Sequence, residues 1–241
     1  MNEQPPHMPR IEDLARATAD KLAEAAAQCA YKIFCDKQFR ALACFDQLDQ
    51  TEQDRIFNEL LVSALLLIML TFEAPDLDVP SDHHEYLKHV AEDIPRAHIR
   101  ALRKLGVEQE HLDIWDKLIR MRYEEYQQSR LHIRAAAMEL EELERELDAD
   151  GLDRIALMLP VEVIAIGCHK HVCRSQTDGR DELFKVQLRA FAKFFIHIRL
   201  LTQGRRVTWW MQLLLLYIRL RRRIAAAWHR ATGRSSQSPQ H

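Results

Sequence analysis

In the second half of the chain the sequence reads Cys168-His169-Lys170-His171-Val172-Cys173. Thiolates and imidazoles are the ligands that zinc and other borderline metals prefer, and helical spacing sets His169 beside Cys173 and Cys168 beside His171. Either pair supplies two ligands. Zinc takes three or four protein ligands, so the set would need a distant residue such as His132 or Cys44 to complete it. Zinc binding at Cys168, His169, His171 and Cys173 is one expectation. The plainer one is two small buried thiols with partly exposed histidines at a helix end.

Other spacings come close to known chemistry and then depart from it. His84 and His89 flank Glu85 as in a zinc-protease helix, yet they are five residues apart and fall about 140° from one another around a helix. Glu108 and His111 have the Glu-x-x-His spacing of di-iron bundles, with Glu59 and Glu73 as bridging candidates, but the second such motif is missing. Glu73, Asp76, Asp78 and Asp82 lack the alternating ligands and central glycine of a calcium loop. No phosphate-cradling glycine loop, nucleophile elbow or dinucleotide fingerprint occurs. The sequence therefore indicates no catalytic activity.

Charge carries the strongest signal. The formal net charge is −2, yet of 34 Lys and Arg twelve lie after residue 182, where none of the 36 Asp and Glu does. The first 182 residues thus carry −14 and the last 59 carry +12. Lys185, Arg189 and Lys193 form a stripe four residues apart, continued loosely by His197 and Arg199, and Arg219, Arg221, Arg222 and Arg223 form a second cluster. Such division suits an anionic partner or two mutually attracting parts of one fold. The same quarter is rich in Phe, Trp and Leu, which is too apolar for a helix built only to contact nucleic acid. Trp209, Trp210 and Tyr217 would sit at headgroup depth if it lay on a membrane, with the arginines meeting anionic lipid. Packed inward instead, its apolar faces would close the core.

These side chains must be positioned by helices. Six glycines and eight prolines in 241 residues, with 47% hydrophobic and 29% charged residues, describe a globular and helical chain. Ile11, Leu14, Leu22, Ala26, Cys29 and Ile33 recur at helical spacing and predict a helix over 10–44 broken near Cys35. Thr51 and Asp54 suggest the start of a second helix, 52–73, apolar nearly all round after Leu60 and so central to the core. Pro95 predicts two short helices, 82–92 and 96–105. From Leu112 to Leu147 mostly apolar residues alternate steps of three and four, interrupted at Arg122 and Ser129, the pattern of a bundle helix or of a coiled-coil strand through which copies could associate. Gly151 is expected to end that rod. Leu152–Arg174 reads as a helix, and helices over 181–203 and 206–231 close the chain.

The expectation is thus an all-α irregular bundle of about seven helices. A loose arm spans 1–9, an acidic bundle 10–174, a basic helical hairpin 181–231, and a disordered tail 232–241. Five cysteines, an odd number, and the lack of an apolar export segment near Met1 point to a reducing, cytoplasmic setting. The expected function is a non-enzymatic interaction protein. Its basic hairpin engages an acidic protein partner or the anionic membrane periphery, with a metal-binding enzyme or sensor and a nucleic-acid-binding factor as alternatives.

Overall fold

From Glu59 to Phe72 every residue of one helix is buried, and the rest of the protein is arranged around it. The computed structural model describes residues 10–74, 77, 79–144 and 149–203. Among these the fold is all-α, with α1 Ile11–Phe34, α2 Lys37–Leu42, α3 Gln50–Phe72, α4 Ser81–Lys104, α5 Gln109–Glu144, α6 Ala149–Val172 and α7 Asp181–Gln203. A 3-10 turn at Phe45–Gln47 lies between α2 and α3. The buried helix is α3, which α1, α4, α5 and α6 surround, while α1 packs on α4, α4 on α5 and α5 on α6. By length and composition α3 could cross a membrane, but 83% of its most apolar window is buried inside the protein. A helix that is apolar all round belongs at the centre of such a bundle.

The helix ends follow from local chemistry. Expected near Cys35, the first break falls there, where Asp36 accepts the Phe39 amide at 2.8 Å and starts α2. Phe34, Phe45 and Phe57 then meet edge to face, and Arg40 lies 4.4 Å from the Phe45 ring centre. The cap of α3 is Asp49 rather than Thr51, because its carboxylate accepts the Glu52 amide at 2.8 Å.

One break expected from sequence is absent and another is not at the expected glycine. Pro95 lies inside α4, which runs unbroken from Ser81 to Lys104 with Leu87, Val90, Ala91, Ile94, Ala97 and His98 buried on one face. Proline removes one backbone donor, and continuous burial of that face outweighs the loss. Gly151 likewise falls in the first turns of α6 rather than ending a rod, and Pro160 is also inside that helix. Gly106 follows the end of α4 and Gly179 lies in the turn before α7, with φ of 84° and 73°.

The small residues Ala15, Ala19, Ala23, Ala26 and Ala30 form the buried stripe of α1 and let its neighbours approach closely. Arg100 fastens α4 to it, reaching Asp20 and Asp93 at 2.6 Å each. Thr18 and Tyr86 join the same helices at 2.6 Å. On α5 the alternating pattern turns inward, with Leu112, Ile119 and Tyr126 each 1% exposed. Contacts divide the chain into two compact units, residues 1–198 and 199–241. Trp209, Trp210, Tyr217, Arg219, Arg221, Arg222 and Arg223, the expected helix 206–231, the arm 1–9 and the tail all lie outside the described residues.

Candidate functional site

The Cys168–Cys173 string sits at the C-terminal end of α6, and its four candidate ligands point to different partners. Cys168 is fully buried, and burial pushes its thiol up to about 12 although Ser63 lies within hydrogen-bonding reach. His169 points toward α7, where its Nδ1 donates to the Gln187 amide oxygen at 2.8 Å and its ring stands edge-on to Phe184. Burial lowers the His169 pKa, so the imidazole is neutral at pH 7. Cys173 is 3.8 and 3.9 Å from the two nitrogens of that ring, with its thiol raised by burial. His171 faces α5, its Nε2 lying 2.8 and 2.9 Å from the Glu125 carboxylate oxygens. The two histidines thus serve different neighbours, and among the described residues no group of three His, Cys, Asp or Glu is placed to hold a metal. The expected four-residue zinc set is not assembled.

The di-iron candidates are also separated by their partners. Glu59, buried on α3, takes a two-pronged contact from Arg122 at 2.7 and 3.0 Å. Arg122 also meets Glu125 at 3.2 Å. Glu73 accepts from Tyr123 and Gln127, each at 2.8 Å. Arg122 thus occupies the place in the α5 pattern where an apolar residue was expected, and it does so to neutralise the one acid of α3 that is buried. A buried bidentate pair is worth keeping only when both partners are present. At the far end, Arg55 donates to the His171 and Val172 carbonyls at 2.8 and 3.2 Å, closing the last turn of α6. Arg55 also pairs with Glu52, which Arg174 contacts as well. These charges are consumed in holding α3, α5 and α6 together.

A different situation holds between α1 and α7, where a groove of about 520 Å3 is open. Ala25, Cys29 and Ile33 recur every four residues on α1, and Val186, Ala190 and Phe194 do the same on α7, giving two apolar rows. Outside them run two polar rows, Gln28 and Lys32 on α1, followed by Asp36 at the start of α2, and Arg189, Lys193 and His197 on α7. At 1.5 Å per residue the α7 wall is about 16 Å long and the α1 wall about 12 Å. Alanine at two floor positions leaves the room. Lys32, Lys193 and His197 are exposed, while Arg189 is half-buried with its Nε donating to the Lys185 carbonyl at 3.0 Å. Lys185, the first member of the expected stripe, lies outside the groove and is paired with Glu182 at 2.7 Å. Asp36 is the only acid among the lining residues. On the floor, burial pushes the Cys29 thiol up to about 12, against the opposing charge of Lys32.

Arg189 and Lys193 were legible as part of a cationic stripe, and the structure gives them an apolar floor and an opposite wall. Lys32 was not legible as their companion. It is separated from Arg189 by more than 150 positions, and nothing in the alanine-rich pattern of α1 signals α7 as its neighbour. No protein-family model matches the chain, and comparison with curated proteins and with solved structures gives no match.

Proposed function

We propose that this chain is a non-enzymatic helical interaction protein of a reducing compartment that engages an acidic protein partner through the groove between α1 and α7. The observation that supports this reading is the cationic rim of Lys32, Arg189 and Lys193 over an apolar floor, with one acid among the lining residues. Opposite charge steers such a partner in and fixes its register. The raised thiols of Cys29, Cys168 and Cys173 disfavour thiolate chemistry at neutral pH.

Titration of the full chain with a fluorescent acidic peptide carrying leucines three and four residues apart tests the proposal. Binding should weaken at high salt and in K32E/K193E, and a peptide of the same composition in scrambled order should bind less. Equal affinity for both peptides, or no effect of K32E/K193E, rules the groove out. Salt-sensitive flotation with anionic but not neutral vesicles, unmatched by peptide binding, would favour the membrane periphery. Steeply salt-dependent retention of DNA alone would favour nucleic acid.

A further inference from the structure

Side chains rather than close backbone packing tie the first turns of α7 to α6, for α7 is in none of the closely packed helix pairs among the described residues. The turn that joins the two helices carries Arg174 and Ser175 at φ of 49° and 64°, two successive left-handed residues without the freedom of glycine. Gln187 is the tie. Its amide is fully buried on α7 and α6 uses both of its ends, the oxygen bonded to Nδ1 of His169 at 2.8 Å and the nitrogen lying 3.9 Å from Sγ of Cys168. His169 is itself buried, with Phe184 of α7 edge-on to its ring and Sγ of Cys173 3.9 Å from its Nε2.

These contacts suit the neutral imidazole. With Nδ1 donating to Gln187, Nε2 keeps a lone pair for the Cys173 thiol, and a second proton would remove that acceptor and charge a ring to which no carboxylate is bonded among the described residues. The turn brings Arg180 toward the ring, which opposes the proton, and α7 brings Asp181, which favours it. From α3 comes Arg55, whose charge acts on Cys173 and whose donors are taken by Glu52 and the carbonyls of His171 and Val172. On α5 Glu125 bonds to His171 instead, and on α6 itself Lys170 is exposed. We infer that His169 and Gln187 form an acid-sensitive latch, which holds the start of α7 on α6 while the imidazole is neutral and lets residues 176–188 open when it is protonated. Burial first, and then Arg180, lower the pKa of the folded-state ring from 6.5, against the Gln187 bond and Asp181. The folded state thus binds this proton more weakly than the opened state. The latch is therefore present in full above pH 6.5 and is lost as pH falls below it. Such opening is local, because α3 and the helices packed on it keep their own contacts.

Hydrogen exchange of the full chain, read at residues 176–188 and corrected for the pH dependence of intrinsic exchange, tests this. Between about pH 7.5 and 5.5 the opening equilibrium of that segment should rise about threefold to tenfold, tenfold being roughly the most that one proton with a reference pKa of 6.5 can supply. H169Q should abolish the rise, and H98F, on α4, should leave it in place. R180Q removes the opposing charge and should shrink the rise, whereas D181N should enlarge it, whatever either does to protection at neutral pH. Should H169Q lose the protection of the segment at every pH, the opposite responses of R180Q and D181N still decide, together with the NMR titration of the wild-type His169 ring. Three results overturn the inference, namely exchange at 176–188 that is indifferent to pH, a rise that persists undiminished in H169Q, and a His169 ring that titrates at or above 6.5.

Discussion

The centre formed by α3, α5 and α6 and the groove between α1 and α7 both contain ionised side chains, and they use them in opposite ways. In the centre Glu59 and Arg122, with side chains 8% and 14% exposed, cancel one another at 2.7 Å, and Glu125 and His171 extend the set. In the groove Lys32 and Lys193 stand exposed at the rim, while Arg189 is half-buried and bonded to the Lys185 carbonyl. A desolvated charge must be matched inside the chain because its hydration has been lost, whereas a rim charge keeps its hydration and waits for a partner. One sequence therefore spends charge on folding in one place and on recognition in another.

That contrast can be broken by substitution. The largest effect is expected from Arg122→Met, which leaves Glu59 buried without its partner. It should cost about 3–5 kcal/mol in urea unfolding, much of it regained when Glu59→Leu is added. A loss below about 1 kcal/mol would show that the central pair is not structural. Next comes acid sensitivity. His98 is 5% exposed, its Nε2 has no partner among the described residues, and burial lowers its pKa from 6.5 to about 4. The folded state binds this proton more weakly than the unfolded state. Its contribution is therefore present in full above pH 6.5 and is lost as pH falls toward 4, amounting to at most about 3 kcal/mol. In His98→Phe the slope of stability against pH should flatten over that window.

Gly167→Ala is expected to rank third. A methyl group there would lie 2.2 Å from Cε1 of Tyr126, whose ring is 1% exposed and has no room to retreat. Overpacking of this kind costs about 1–3 kcal/mol, and calorimetric melting of the variant checks it. The smallest stability change belongs to K32E/K193E, within about 0.5 kcal/mol of wild type because both side chains are exposed. Acidic-peptide affinity in the same variant should fall at least tenfold. If the order of Arg122→Met and K32E/K193E were reversed in urea unfolding, the division between structural and recognition charge would not hold.

Much of the fold was legible because burial writes itself into periodicity. The run from Leu60 to Phe72 announced the central helix, and the alternating residues of α5 announced its inward seam. The proline at 95 misled, since its local preference for breaking a helix is outweighed by an apolar face that continues past it. Cys168, His169, His171 and Cys173 looked like one cluster because they are adjacent in sequence. Helical rotation sends His169 to Gln187 of α7 and His171 to Glu125 of α5, so adjacency was not convergence.

By itself the sequence determined the all-α class, the helix-forming segments, the solitary cationic stripe and the opposition of an acidic to a basic part. Those properties depend on residue type and on spacing within one helix turn. Only the tertiary structure decided that Arg122 neutralises Glu59, 63 positions away, and that Lys32 faces the same groove as Lys193. Both depend on which helices lie side by side. Neighbourhood of that kind is fixed by the summed burial of whole faces rather than by any local pattern.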